Sequence, residues 1–89
     1  MLPITIYTTP TCPYCWAAKR LLSKKKLVFT EINVAWDPVT RSKMREKAGG
    51  RNTVPQIWIG QNHIGGSDDL HALEVTGELD RLLMSVNQK

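Results

Sequence analysis

The chain has 89 residues, of which 42% are hydrophobic and 22% charged, so we expect one folded domain over residues 1–89 rather than a disordered chain. The net charge of +4 is uneven, because residues 1–51 carry a net +7 and residues 52–89 a net −3. No apolar run approaches the ~20 residues that cross a bilayer, and the one basic run, at 24–26, is too short to indicate nucleic-acid binding.

The first residues bear on where the protein resides. They lack a basic region followed by a long apolar stretch, so we expect no secretory signal and a cytoplasmic location without a membrane partner. A purely structural disulfide is unusual in the reducing cytosol. The only two cysteines, Cys12 and Cys15, therefore need a chemical explanation.

The first third of the chain predicts a strand, a helix and a second strand. Residues 4–8 alternate β-branched and aromatic side chains, as a strand does. A turn at 9–11 leads to a helix with Cys12 near its cap and Pro13 in its first position, where a missing N–H is not needed. Residues 27–33 are largely apolar and predict a buried strand.

The middle of the chain predicts a second helix. Asp37 and Pro38 are typical of a helix start, as a cap followed by a first-turn proline. The helix should run to about Ala48 and end at the glycines 49–50. Its apolar stripe is thin and consists mainly of Val39, Met44 and Ala48.

The last third predicts a hairpin and an amphipathic helix. Residues 54–59 and 63–65 are expected to be strands joined by a turn at 60–62. A helix should start near Asp68 and Asp69. Gly77 interrupts the helical pattern, after which apolar residues recur with helical spacing at Leu79, Leu82, Leu83 and Val86.

The predicted order is therefore β-α-β-α-β-β-α, with the last helix open to being broken in two. A strand, helix, strand unit places its strands parallel through a right-handed crossover, whereas a hairpin adds antiparallel strands. The sequence predicts an α/β fold with a four-stranded mixed sheet flanked by helices.

The two cysteines occupy different positions on the first helix. Side chains at i and i+3 share a helix face, so Cys12 and Cys15 can approach disulfide geometry. Cys12 lies at the helix N-terminus, where free N–H groups stabilise a thiolate. Cys15 lies one turn deeper, on the core side, and should remain a thiol. This asymmetry suits thiol–disulfide exchange, with Cys12 attacking and Cys15 resolving the mixed disulfide.

Two other interpretations of the cysteine pair are weaker. Zinc needs four ligands, and His63 and His71 do not follow a ligand-pair spacing, so we expect no metal and assign neither histidine a role. An inert structural disulfide is disfavoured by the reducing compartment. A C-x-x-C pair between a strand and a helix instead indicates redox activity.

Two further segments suggest ligand binding. In Thr53-Val54-Pro55 the proline either is cis, exposing the Val54 backbone to an extended peptide, or is an ordinary trans proline that starts a strand. Residues 65–69, Gly-Gly-Ser-Asp-Asp, either cap a helix or offer N–H groups to a carboxylate and an aspartate to an ammonium. The residues alone leave both alternatives open.

Taken together, these three segments resemble a known family. The motifs Cys-Pro-Tyr-Cys at 12–15, Thr-Val-Pro at 53–55 and Gly-Gly-Ser-Asp-Asp at 65–69 occur in the order and spacing of small bacterial dithiol glutaredoxins of the glutaredoxin 3 type. The resemblance covers about residues 3–84. It implies a thioredoxin fold, a monomer, and glutathione as the reductant for protein disulfides and glutathionylated proteins.

The resemblance also implies roles for individual residues. Cys12 resembles the nucleophile and Cys15 the resolving thiol. Val54 would pair through its backbone with the cysteine of glutathione, and Pro55 would be a cis proline. Residues expected to meet the γ-glutamyl end are Gly66, Ser67, Asp68 and Asp69, and residues expected to line the groove are Tyr14 and Thr53.

One position departs from the family pattern. Glutaredoxins commonly carry a lysine three residues before the nucleophile, where this chain has Thr9. Arg41 and Arg51 are candidates to supply the missing charge. Trp16 is expected on the outer face of the helix, where it either flanks the groove or is simply exposed.

Two other functions remain as alternatives to a glutathione-dependent oxidoreductase. In an iron–sulfur carrier, Cys12 and glutathione from two chains would ligate a cluster, which Pro13 and the second cysteine disfavour. A thioredoxin-like protein disulfide reductase would take its electrons from a flavin enzyme instead of glutathione.

Overall fold

The computed structural model describes residues 2–84. Its elements follow the predicted order, with the last helix divided at Gly77. The elements are β1 (Ile4–Thr8), α1 (Pro13–Lys24), β2 (Thr30–Asn33), α2 (Pro38–Lys47), β3 (Gln56–Ile59), β4 (Asn62–Gly65), α3 (Ser67–Thr76) and α4 (Glu78–Met84). Within residues 2–84 no helix has the length and apolar character that crossing a bilayer requires.

The four strands form one mixed sheet in the order β2-β1-β3-β4. β1 pairs in parallel with β2, whereas β3 pairs antiparallel with both β1 and β4. The parallel pair is joined by α1, so the carboxyl ends of β1 and β2 lie at the same edge of the sheet. The predicted four-stranded mixed sheet flanked by helices is confirmed.

Alternating side chains divide the core between the two faces of the sheet. On one face, Ile57 and Ile59 of β3 pack with apolar residues of α1, α3 and α4, among them Leu22 and Leu70. On the other face, Trp58 lies with Tyr7, Val34, Met44 and Ala48, so that α2 covers this side. Because β3 lies between two strands and beneath two layers, all four of its residues are buried.

The prediction of a buried strand over residues 27–33 was wrong in extent and in burial. β2 contains only Thr30–Asn33, and its side chains are mostly exposed. The reason is the strand order, which places β2 at the edge of the sheet. The apolar residues before it, Leu27 and Phe29, pack against the core from an irregular segment instead.

Several helix and strand boundaries also differ from the predictions. Val39 was expected in the apolar stripe of α2 but is 64% exposed. The strand predicted from 54 begins at Gln56, and the helix predicted near Asp68 begins at Ser67. The helix break at Gly77 is present, with the glycine in a left-handed conformation at φ 81°. Leu79 and Leu83 are buried as expected, Leu82 is partly buried, and Val86 lies outside the described residues.

Candidate active site

Cys12 caps the N-terminus of α1. Its backbone is extended, and its sulfur accepts a hydrogen bond from the Cys15 N–H at 3.2 Å. The thiol also lies 3.6 Å from the carbonyl oxygen of Val54, to which it donates. Pro13 occupies the first helical turn, where its ring does not interrupt hydrogen bonding. The helix N-terminus thus directs a backbone N–H at a half-buried, free thiol.

Cys15 has a different environment one turn along α1. Its side chain has no solvent exposure. Burial, followed by the hydrogen bond with Cys12, raises the pKa of the Cys15 thiol to about 12. A hydrogen bond with the Thr9 backbone and, more weakly, the Lys19 cation oppose this rise. Cys15 is therefore protonated at neutral pH, whereas Cys12 is the thiol that a substrate can reach.

The loop before β3 reaches the cysteines from the other side. The Val54–Pro55 peptide bond is cis. The Val54 carbonyl is the group that faces the Cys12 sulfur, and Pro55 is buried where the chain enters β3. The structure thereby brings together two segments that are about 40 residues apart in the sequence.

A cavity of about 370 Å³ opens beside these groups. It is lined by Tyr14, Arg51, Thr53, Val54, Pro55, Gly66, Ser67, Asp68 and Asp69. The set contains every residue that was predicted from the sequence to bind substrate, and it adds Arg51. The cavity thus has a cation, two carboxylates and the N-terminus of α3 on its walls, and it lies next to the loop that contacts Cys12.

The N-terminus of α3 is held by its own acidic residue. Asp69 accepts a hydrogen bond from the Gly66 N–H at 3.0 Å and forms an ion pair with Arg51 at 3.3 Å. The Gly66 N–H, followed by the Arg51 guanidinium, holds the pKa of the Asp69 carboxyl below its usual range. Asp69 therefore caps the helix and also presents a negative charge to the cavity, so the two interpretations of this segment are compatible.

Gly65 makes the close packing at this corner possible. Its φ of +113° is disfavoured for residues with a side chain, and a Cβ at this position would collide with the Asp69 carboxylate and with Arg51. Glycine is favoured here because the backbone turns from β4 into α3 at a positive φ, and a Cβ would displace the Asp69–Arg51 ion pair.

Of the two arginines that were candidates to replace the family lysine, only Arg51 lines the cavity. Arg41 donates to the side chain and to the carbonyl oxygen of Asn52, and it lines a different surface depression. Arg51 lies on the cavity wall. Trp16 was expected on the outer face of α1 and is 49% exposed. Its indole N–H donates to the Pro10 carbonyl at 3.0 Å, and this hydrogen bond stabilises the turn before Cys12.

A polar contact behind the cavity was not predicted from the sequence. Gln56, fully buried, donates from its amide nitrogen to the Thr53 hydroxyl at 3.2 Å, and its amide oxygen lies 2.6 Å from His63 Nε2. The available signal was a glutamine within an otherwise apolar strand directly after a proline. Among the residues described, no group of three or more His, Cys, Asp or Glu side chains is arranged to hold a metal ion.

Comparisons with known proteins agree with this geometry. The family model for glutaredoxin matches residues 4–64. A glutaredoxin of Pseudomonas aeruginosa is 55% identical over 83 residues, which cover 93% of this chain and 98% of the relative. Glutaredoxin 3 of Escherichia coli is 49% identical over 83 residues, covering 93% and 99%. A crystal structure of a buckwheat glutaredoxin–glutathione complex superposes with a TM-score of 0.86 at 24% identity, over 94% of this chain and 78% of that one, which shows the same thioredoxin fold.

Proposed function

The chain belongs to the glutaredoxin family and is a thiol–disulfide oxidoreductase, and we propose that glutathione is its reductant and that its substrates are glutathionylated proteins and protein disulfides. The observation that supports this most directly is the pair of unequal thiols beside a polar cavity. The accessible sulfur of Cys12 faces the Val54 carbonyl, and the buried Cys15 thiol has a pKa of about 12.

The charges on the cavity wall complement those of glutathione. That tripeptide carries two carboxylates and one ammonium group. The ammonium is matched by Asp68 and Asp69, and a carboxylate by the backbone N–H of Ser67 at the start of α3, since the Gly66 N–H already donates to Asp69. Arg51 supplies a positive charge for the remaining carboxylate, in place of the lysine that Thr9 replaces.

The rest of the proposed site is formed by Tyr14, Thr53, Val54 and Pro55. Val54 offers backbone groups that pair with an extended peptide such as the centre of glutathione. Its carbonyl is already within 3.6 Å of Cys12, so pairing there sets the sulfur of glutathione beside the attacking thiol. The Tyr14 ring is 64% exposed and covers one side of the cavity.

The proposed reaction is two successive exchanges. The Cys12 thiolate attacks the glutathione sulfur of a glutathionylated protein, which forms a Cys12–glutathione disulfide and releases the protein thiolate to take up a proton. A second glutathione thiolate then attacks that disulfide, giving oxidised glutathione and regenerating Cys12. In protein disulfide reduction the mixed disulfide joins Cys12 to the substrate. The Cys15 sulfur gives up its proton and attacks Cys12, which forms a Cys12–Cys15 disulfide and releases the substrate thiolate to take up a proton. Two glutathione molecules then reduce that disulfide and leave as oxidised glutathione.

The wider setting is part of the same proposal. The chain acts as one domain and as a monomer in the cytoplasm, where glutathione and its reductase maintain a reducing pool. The net charge of +7 in residues 1–51 favours the approach of an anionic tripeptide. No nucleic acid, membrane or resident metal takes part.

A coupled assay tests the proposal. The protein is mixed with a glutathionylated peptide, glutathione, glutathione reductase and NADPH, and NADPH oxidation is followed. Cys12→Ser should abolish turnover, whereas Cys15→Ser, a matched change one turn away, should retain it and lose only reduction of protein disulfides. Wild-type protein that turns over with thioredoxin reductase but not with glutathione would overturn the proposal. Visible absorption after anaerobic reconstitution would instead support the cluster-carrying alternative.

A further inference from the structure

A chain of hydrogen bonds runs from the exposed surface to the wall of the cavity. It starts at His63 on β4, passes through the buried amide of Gln56 at the start of β3, and ends at the Thr53 hydroxyl. The two links measure 2.6 Å and 3.2 Å. Thr53 is the member that lines the cavity, and the other two lie behind it.

The first link sets the direction of the chain. The Gln56 amide oxygen can only accept a hydrogen bond, so the proton between it and His63 must be on Nε2 of the imidazole. With its oxygen turned to His63, the amide presents its NH₂ group to Thr53. The Thr53 hydroxyl therefore accepts from Gln56, and its own proton is not used by that bond.

The orientation of the amide decides what Thr53 can offer. If the amide were reversed, its oxygen would face Thr53 and the hydroxyl proton would be spent on it. As the structure stands, that proton is free to point into the cavity. A hydroxyl that donates suits a negatively charged group, and hydrogen bonds to ionised groups are the stronger ones.

His63 is held in place for this contact. Its ring stacks on Trp58 with centroids 4.6 Å apart and an angle of 28°, and Trp58 is in turn fixed edge-on against Tyr7 at 5.3 Å. Burial and the nearby Arg51 cation lower the pKa of His63, which Asp69 partly opposes. A neutral imidazole has a single N–H, and the bond to Gln56 assigns it to Nε2.

We propose that His63 is a positioning residue for substrate binding, acting through Gln56 to fix the Thr53 hydroxyl as a donor to a carboxylate of the bound ligand. The inference rests on the proposed function, because it takes the cavity to be the site for glutathione. It assigns a role to a surface histidine on the far side of the buried glutamine, outside the cavity lining.

The test separates the hydrogen bond from the ring stacking. His63→Phe keeps an aromatic ring on Trp58 but has no N–H for Gln56, whereas His63→Gln keeps an N–H near the Nε2 position but no ring. We expect His63→Phe to raise KM for a glutathionylated peptide about tenfold with kcat little changed, and His63→Gln to restore KM. Because His63 is exposed, both variants should fold, which urea denaturation checks.

A double-mutant cycle makes the route explicit. Thr53→Val removes the hydroxyl, and it should raise KM about as much as His63→Phe does. The two changes together should cost no more than either alone, because both act on the same hydroxyl. Additive effects would overturn the proposal, as would a His63→Phe protein with unchanged KM or a His63→Gln protein as impaired as His63→Phe.

The same experiment distinguishes this inference from the proposed function. A wild-type protein that does not reduce the glutathionylated peptide overturns the proposed function and the inference with it. An active wild-type protein whose KM is insensitive to His63→Phe overturns the inference alone and leaves the glutathione-dependent activity in place.

Discussion

Replacing Cys15 by alanine tests whether burial governs the inner thiol. The thiol has no solvent exposure, and its pKa is raised from 9.0 to about 12, with burial as the largest cause. A raised pKa means that the folded protein holds the proton more tightly than the unfolded chain does. The stability this confers is complete below about pH 9 and is lost as the pH rises from about 9 to about 12.

The size of the loss follows from the two pKa values. A difference of about three pKa units corresponds to about 4 kcal/mol when the titration is complete. At about pH 10.5, where the unfolded thiol is ionised and the folded one is not, linkage gives about 2 kcal/mol. Cys15→Ala removes the titrating group. Between about pH 7 and about pH 10.5 the free energy of unfolding should therefore fall by about 2 kcal/mol less in the variant than in the wild type.

The measurement is urea unfolding, followed by tryptophan fluorescence, in anaerobic reducing buffer at both pH values. Lysines and tyrosines also titrate in this range, but they contribute equally to both proteins and cancel in the difference. Cys12→Ala is the matched control, and it should retain most of the loss because burial outranks the contact with Cys12. Equal losses in wild type and Cys15→Ala would refute the argument that burial holds this thiol protonated.

Two further predictions concern packing, each with a control of the same residue type. Met44→Ala, at a site with no solvent exposure, should lower the free energy of unfolding by about 2–5 kcal/mol. Met84→Ala, at a site 58% exposed, should change the free energy of unfolding by less than about 0.5 kcal/mol. Equal urea midpoints for the two variants would contradict the assignment of the core. Gly65→Ala should cost more than Gly49→Ala, because both have positive φ but only the new Cβ at 65 meets the Asp69 carboxylate. Gly49→Ala should lower the free energy of unfolding by about 1–2 kcal/mol. A Gly65→Ala protein as stable as the Gly49→Ala protein, and as active in the coupled assay, would show that this corner tolerates a side chain.

Local patterns carried much of the fold prediction. The alternation at residues 4–8, the proline after Cys12 and the glycine at 77 each act through backbone preferences of a few neighbouring residues. These preferences hold whatever surrounds them. The corresponding strand, helix start and helix break are therefore found where the sequence predicts them.

Predictions that depend on neighbours from distant parts of the chain were less accurate. Residues 27–33 have the composition of a buried strand, yet β2 is an exposed edge strand because of its place in the sheet order. Val39 was assigned to one stripe with Met44, but five residues advance an α-helix by about 500°. Their side chains therefore point about 140° apart, and Val39 faces solvent while α2 packs its Met44 side on the sheet. Composition does not contain the strand order or the packing angle of a helix.

The candidate site shows the same division. The motif at 12–15 and the segments at 53–55 and 65–69 could be recognised in the sequence, because each needs particular residue types in a fixed local order. The choice of Arg51 over Arg41 as a cavity residue, and the contact from His63 to Gln56, required the structure. Both depend on which loop and which strand lie side by side.

The chain is basic and has two cysteines three residues apart, and the sequence by itself determined that these begin a helix and form a redox motif. It could not determine how unequal the two thiols are. Only the tertiary structure decided that Cys15 is fully buried in the core, while Cys12 contacts the Val54 carbonyl beside a charged cavity. The physical reason is that solvation and charge depend on everything within a few ångströms, and folding gathers those neighbours from distant positions in the chain.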